Sequence, residues 1–429
     1  MWIVCQIGAR EHYAIARALQ ARGALAGLCT DFWVPPGDMI GMLPGARRLR
    51  DRFHPDLADA QVHAPNARMF AFELKQRLVG KRGWDAIIAR NEWFQQWALQ
   101  EMAKISDQGP RGSDQGPSIP SLSALMGTNG PARRSSPTVF SYSYAALEIF
   151  RYAKSRGWRT VLGQIDPGPE EERIVAAERG RYRHLASSWQ AAPTTYWESW
   201  REELDLADRI IVNSEWSRQC LLKEKVPSQK IEIVPLVYRA ETEDGSPGSQ
   251  QPGEVRRDAS NIQNPTFKSQ NPPSKRVLFL GQVNLRKGVG RLLDAMRMLK
   301  DEPIELTLAG PAEIDPAAWA DLPNVHWVGP VARSEVGRVY QEADCFILPT
   351  LSDGYALTQL EALSHGLPVM ASKHCGAAVS HGGNGWILDD LEPETIATAI
   401  RHAIANPLDS TQIRPPEFSI TDLAAALTR

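Results

Sequence analysis

The 429-residue sequence reads as an α/β protein of two domains, each a parallel sheet flanked by helices. Three observations predict this. Short apolar runs of strand character alternate with amphipathic stretches of helical period along both halves of the chain. A stretch over 240–275, rich in Ser, Pro, Gly, Gln and Asn and almost without large apolar residues, separates two such arrays. At this length, a hydrophobic content of 43% is enough to bury two cores of ordinary size.

In chain order, strands are expected over 2–7, 25–29, 85–89, 138–143, 160–164, 209–212 and 231–236 in the first half. The second half gives 276–280, 304–309, 325–328, 345–348, 368–371 and a short 386–388, with helices between most of them, for example over 288–300 and 334–343. Residues 106–137 break the pattern. The pentapeptide Ser-Asp-Gln-Gly-Pro occurs there twice, starting at Ser106 and Ser113, and local duplication without apolar periodicity marks a disordered low-complexity insertion. The domains are therefore expected at 1–239 and 276–410, joined by a disordered linker over 240–275. The segment 411–429 carries a terminal helix, Phe418 to Leu427. Two such domains facing one another leave a cleft at the carboxyl ends of their strands, where open α/β sheets bind ligands.

The formal net charge of −2 gives no reason to expect a nucleic-acid partner. Five cysteines (Cys5, Cys29, Cys220, Cys345, Cys375) form no C-x-x-C pair and read as buried free thiols of a reducing compartment. The first residues, Met1 to Gly8, lack a charged leader and suit a first strand, and no stretch is apolar for long enough to span a bilayer. A cytoplasmic protein is expected. Arg47, Arg48, Arg50 and Arg52, with Met42, Leu43 and Phe53, are the one sign of weak peripheral contact with an inner membrane face; Asp51 and Asp56 dilute it, and a solvated helix face is the commoner fate of such a run.

The most informative stretch runs from Ser352 to Ser372. Leu357, Leu360 and Leu363 mark a helix that Gly366 and Pro368 end, and the flanking runs 345–349 and 368–371 are short buried strands. The unit is strand–loop–helix–strand, with Asp353 in the loop and Glu361 in what should be the first helical turn. The N–H groups of Ala356, Leu357 and Thr358 should be unpaired at that helix start and attract an anion, with a carboxylate on either side to accept hydroxyl hydrogen bonds. That arrangement suits a sugar attached to a phosphorylated nucleoside. Lys287 follows the strand 276–280 and precedes a helix, the place for a cation that neutralises a diphosphate.

This segment resembles the acidic-x7-acidic signature of retaining glycosyltransferases of GT-B architecture, specifically the large family 4 group. The resemblance extends to Ile210–Ser217, Phe279–Gly288, Leu308–Pro311 and Val325–Pro330, in that order along the chain. It implies a metal-independent transferase of two Rossmann-like domains that uses no cofactor and moves a sugar from a nucleotide-diphosphate sugar to a carbohydrate, lipid-linked or small-molecule acceptor, in polysaccharide or glycoconjugate biosynthesis. It also implies that the terminal helix packs back toward the N-terminal domain.

Residue by residue, the resemblance gives Lys287 the leaving diphosphate and Glu361 the ribose hydroxyls. Asp353, with Gly354, Tyr355, Ala356, Leu357 and Thr358, takes the sugar and phosphates. Gly329 and Arg333 border the base. The family's usual arginine after Gly281 is replaced by Gln282, so Arg286 is the candidate for the missing charge; Asp353 is one methylene shorter than the usual glutamate. On the acceptor side, Gly8 and His12 stand where the family has a loop with two glycines. Tyr142 or Tyr144 stands where many members have a histidine, and Gln164 and Asp166 close the next strand. No metal is expected, since the nine histidines show no ligand spacing and no Asp-x-Asp follows a strand. Two alternatives stay open: a sugar-nucleotide epimerase on the same scaffold, or a degenerate protein that binds the nucleotide sugar without transferring it.

Overall fold

A computed structural model describes residues 1–38, 49, 52–108, 136–187, 189–238, 274–376 and 378–429. The first domain contains β1 (Trp2–Gln6), α1 (Ala14–Ala21), β2 (Leu25–Thr30), β3 (Val62–His63), α2 (Asn66–Leu78), α3 (Gly83–Gln108), β4 (Thr138–Tyr142) and α4 (Leu147–Ser155). It continues through β5 (Arg159–Gln164), α5 (Pro169–Arg181), α6 (Thr194–Leu206), β6 (Arg209–Val212), α7 (Glu215–Lys223) and β7 (Ile231–Ile233). The seven strands pair in the order β3-β2-β1-β4-β5-β6-β7, parallel throughout. All five residues of β4 are buried, as expected of a central strand covered by helices on both faces.

The second domain contains β8 (Lys275–Leu280), α8 (Val289–Met298), β9 (Ile304–Ala309), β10 (Val325–Gly329), α9 (Arg333–Gln341), β11 (Cys345–Leu348), α10 (Leu357–Ser364), β12 (Val369–Ser372), β13 (Gly385–Leu388) and α11 (Pro393–Ala405). Its sheet, in the order β10-β9-β8-β11-β12-β13, is also parallel. In both sheets the first strand sits inside and the order reverses beside it, which opens a crevice at the carboxyl ends.

The last helix, α12 (Ile420–Leu427), starts at a capping box in which Ser419 and Asp422 exchange side-chain and backbone hydrogen bonds. Its Leu423 and Leu427 share a core with Val4, Ile15 and Leu19 of the first domain. Arg209 of β6 donates to the Ala426 and Leu427 carbonyls at 2.6 and 3.0 Å. On the opposite side of the chain's path, α5 of the first domain packs on α8 of the second. Arg291 clamps Glu178 with two bonds of 2.7 and 2.8 Å, and Tyr182 donates to Asp294 at 2.7 Å while its ring joins the second domain's core.

Three expectations need correction. The run 85–89 is not a strand; it lies in the first turns of α3. A four-residue apolar stretch does not distinguish strand from helix, and the buried positions Phe94, Ala98, Met102 and Ile105, at helical spacing, extend one long helix through it. Ser106 and Asp107 belong to that helix, so any insertion begins later, and Lys275 belongs to β8 rather than to a linker. The two-residue β3 was not anticipated, because two residues carry no periodicity. Residues 109–135 and 240–273 of the expected low-complexity segments, and Met42, Leu43, Arg47, Arg48, Arg50 and Asp51, lie outside the described residues. All five cysteines are buried and free. Among the described residues no helix is long and apolar enough to cross a membrane.

Candidate active site in the interdomain cleft

Two loops of the second domain build the centre of the cleft. The loop after β8 is held by a side chain of its own and by the loop after β11. Asn284 accepts from the Lys287 N–H at 3.0 Å, the Arg286 carbonyl accepts from the Leu351 N–H at 2.9 Å, and Gly288 turns with φ 75° into α8. A side chain at Gly288 would stand 1.9 Å from the Pro349 carbonyl oxygen, so only glycine lets this loop lie against the loop after β11. That contact delivers Lys287 to Asp353: the Lys287 ammonium and the Asp353 carboxylate form a direct ion pair. Arg286 stands beside them, 3.9 Å from the same carboxylate oxygen, and donates to the Ser352 carbonyl at 3.3 Å.

Arg286 also reaches across the cleft to Glu171 of α5, at 3.6 Å. Burial pushes the Glu171 carboxyl up to about 7, with Arg286 opposing the rise. One Glu171 oxygen is buried without a hydrogen-bond partner among the described residues. The two domains touch closely here. A Cβ on Gly354 would lie 2.0 Å from the Ile165 carbonyl oxygen, and Trp216 of α7 donates to the Ser352 hydroxyl at 3.2 Å while its ring lies over His374 with centroids 4.1 Å apart. The glycine at 354 therefore serves the approach of the other domain's backbone, whereas the sequence reading gave it to phosphate and sugar.

Glu361 belongs to a different set of contacts. It sits in the second turn of α10, not the first, and accepts from the Tyr340 hydroxyl at 3.0 Å; Tyr340 also donates to the Thr358 carbonyl at 3.2 Å. The helix start is less open than expected. The Ala356 N–H donates to the Cys375 carbonyl at 3.0 Å, which leaves Leu357 and Thr358 as the N–H groups without an acceptor among the described residues. The half-buried ring of Tyr355 covers Gly376, and its desolvation pushes the phenol up to about 12. Gln282 bonds with Asn284 within its own loop. Gly329 ends β10 and Arg333 opens α9, two strands across the sheet from β8, so neither joins the Lys287–Asp353 cluster.

In the first domain, Gln164, Tyr144 and Asp166 form one network. The Tyr144 hydroxyl donates to Asp166, Gln164 donates to the Asp166 carbonyl at 2.9 Å, and the Gly168 N–H donates to the carboxylate at 2.8 Å. Burial raises the Asp166 carboxyl above its usual range. Gly8 turns with φ 85°, and its N–H donates at 2.8 Å to Asp31, a fully buried carboxylate that also pairs with Arg52 and Arg90. Glu11, His12 and Tyr13 follow in the left-handed region, with φ 50°, 49° and 60°. Strain of this kind in successive non-glycine residues marks a loop held by its surroundings. Within it, Glu11 stands half-buried beside Tyr142 and Asn213, and desolvation pushes its carboxyl up to about 7. Among the described residues no group of three or more His, Cys, Asp or Glu is placed to hold a metal ion.

Sequence reasoning missed Glu171, Tyr340, Trp216 and Glu11. Trp216 lay in a quoted segment, Ile210–Ser217, without a role. The others are set by contacts between elements far apart in the chain, which no local spacing encodes.

Residues 274–406 match the family model described as glycosyl transferases group 1. The matched stretch spans the second domain. Among curated relatives, a D-inositol 3-phosphate glycosyltransferase of Corynebacterium urealyticum is 27% identical over 234 residues, covering 50% of this chain and 52% of the relative. The amylovoran biosynthesis glycosyltransferase AmsK of Erwinia amylovora is 29% identical over 141 residues, covering 29% and 35%. The chain thus spans about half, or less, of the length of the curated relatives it matches. Among solved structures, sucrose-phosphate synthase of Thermosynechococcus elongatus aligns with 100% of this chain and 95% of its own, at TM-score 0.54 and 15% identity. HepE of Anabaena, in a complex with UDP-glucose, aligns over 99% and 94%, at TM-score 0.51 and 12% identity. The fold is GT-B: two parallel α/β domains facing across a cleft.

Proposed function

We propose that this protein is a retaining, metal-independent glycosyltransferase that moves a sugar from a nucleotide-diphosphate sugar to an acceptor hydroxyl. The observation that carries the proposal is the Lys287–Asp353 pair, set at the carboxyl ends of β8 and β11 inside the matched stretch, with Arg286 beside it. A diphosphate entering the cleft competes with Asp353 for Lys287. Once the lysine turns to phosphate, the Asp353 carboxylate is released to accept from sugar hydroxyls, so one exchange of partners prepares both halves of the donor site. Fixed cations that meet charge developing on a leaving diphosphate stabilise the transition state without a metal. Glu361, oriented by Tyr340, is assigned to the ribose, where a carboxylate accepts from two adjacent hydroxyls.

In the transfer, the acceptor oxygen attacks the anomeric carbon from the face the diphosphate leaves. The carbon–phosphate-oxygen bond breaks, and the departing diphosphate takes the hydroxyl proton. Tyr144, Gln164 and Asp166, with Gly8 and His12 of the loop after β1, would border the acceptor. Binding without transfer is the second reading, favoured by Gln282 in place of the family's arginine. Incubation with UDP-, GDP- and ADP-sugars in EDTA separates the two. Release of nucleotide dependent on an added acceptor, lost in Lys287→Ala, supports transfer; donor binding without turnover across acceptor classes would leave only the binding reading.

A further inference from the structure

Helix α2 buries one face and leaves the other bare. Met69 is buried, and Phe72 stacks on Trp93 of α3 with ring centroids 5.2 Å apart. At about 100° per residue, the opposite side of the helix carries Phe70, Leu74 and Leu78 in one stripe. These side chains are 56%, 49% and 81% exposed, and Val79, just past the helix end, is 65% exposed. Large apolar side chains gathered this way at the surface of one helix mark an interaction face.

The charges around the stripe say what it faces. On the same helical projection, Arg68 and Lys75 border it on one side and Arg77 on the other, and Lys81 and Arg82 follow directly; all five cations are exposed. The one carboxylate between 66 and 82 is Glu73, which is turned away to pair with Arg90 at 3.3 Å. An apolar stripe with cations on both margins is the pattern of a helix that lies in the interface of an anionic bilayer. A peptide partner would want a groove, and side chains this exposed stand on a ridge.

We infer that the α2 face, centred on Phe70, Leu74 and Leu78, docks the protein on an anionic lipid surface. This moves the membrane contact away from the arginine-rich run that the sequence suggested. Of that run's described members, Arg52 is turned inward to Asp31 at 3.0 Å, and the Phe53 ring packs against Trp33 with centroids 5.2 Å apart. The placement also has a direction. α2 leaves the carboxyl end of β3, and Asn66 at its start is tied to the loop after β2 by bonds of 3.0 and 2.7 Å to the Trp33 backbone. The helix that carries the lipid-facing stripe therefore starts at the carboxyl end of the edge strand β3. The inference goes beyond the transferase reading and does not depend on it: a chain that bound lipid and no nucleotide would sustain it.

The test is flotation of the full chain with vesicles of phosphatidylcholine, alone or mixed with phosphatidylglycerol. The wild type should float with the mixed vesicles, stay behind with the neutral ones, and lose binding in high salt. Leu74→Glu with Leu78→Glu should abolish flotation. Lys75→Gln with Arg77→Gln should weaken it about 25-fold, at roughly fivefold per cation. Both variants should keep the wild-type melting temperature, since the altered side chains are exposed. Wild-type protein that ignores anionic vesicles would overturn the inference, as would equal flotation of the Glu variant. So would a wild-type dimer that the Glu variant dissociates, or a Glu variant that melts several degrees lower with lipid binding intact, because each would mean that protein covers the stripe.

Discussion

Gly354→Ala tests the closeness of the two domains. The added methyl carbon would stand 2.0 Å from the Ile165 carbonyl oxygen, 2.9 Å from its carbon and 3.3 Å from the Asp166 α-carbon. All three are backbone atoms at the end of β5, so no side chain can swing away to make room. Non-bonded carbon–oxygen contacts settle at about 3.4 Å or more, and the loop after β11 and the end of β5 must separate by more than an ångström. The displaced loop carries Asp353, which stands beside Arg286 of its own domain, and Arg286 spans the gap to Glu171. A misplacement of about 1 Å costs on the order of a hundredfold in rate, so kcat/KM for sugar transfer should fall by about that factor. Nucleotide alone should still bind, because the contact assigned to Glu361 lies within one domain. Thermal melting should move little. Gly180→Ala, in α5 with no atom within 4 Å of the new carbon, is the control that should leave transfer unchanged. Wild-type transfer by Gly354→Ala would refute the claim that this contact positions the site.

Three further outcomes follow from the same contacts. Asp31→Asn removes the charge that Arg52 and Arg90 share at 3.0 and 2.7 Å, and should cost about 3 kcal/mol in urea denaturation, the low end for a broken buried pair because both guanidiniums reach solvent; an unchanged midpoint would contradict it. Glu171 lies above its ordinary 4.5, at about 7, because of burial, so the folded chain holds that proton more tightly and stability falls as pH rises from about 4.5 to about 7. Glu171→Gln lacks this cost: its stability relative to wild type should grow across that window by up to about 3 kcal/mol and then level off, and a constant difference from pH 4 to 8 would count against the assignment. Tyr340→Phe frees Glu361 from its 3.0 Å hydrogen bond and should weaken nucleotide binding roughly tenfold, read by calorimetry against an unaltered fold; unaltered affinity would separate Glu361 from the ribose.

Much of the fold was legible because β/α alternation leaves a mark in every element. Buried parallel strands such as 345–348 read as short apolar runs, and the loops between them carry glycines where backbones meet. The misreading of 85–89 shows the limit: Ala86 to Ala89 has strand composition, and only packing against the sheet through Phe94, Ala98 and Met102 settles it as helix. The candidate site was legible in the same uneven way. Lys287 and Asp353 sit on loops whose spacing from their strands is fixed, and they meet. Glu361 was placed correctly on its helix but a turn too early, and its partner Tyr340 comes from the preceding helix, twenty-one residues away in sequence. Arg286 was proposed for its charge alone; its reach to Glu171 depends on how the domains close, which local sequence does not encode.

The most direct test of the central claim is calorimetric titration of the purified protein with UDP, GDP and ADP in EDTA, for wild type and Glu361→Ala. The account predicts that one nucleotide binds the wild type without a metal and that Glu361→Ala abolishes the binding. Failure of all three to bind, or binding that survives Glu361→Ala unchanged, would contradict the donor site described here.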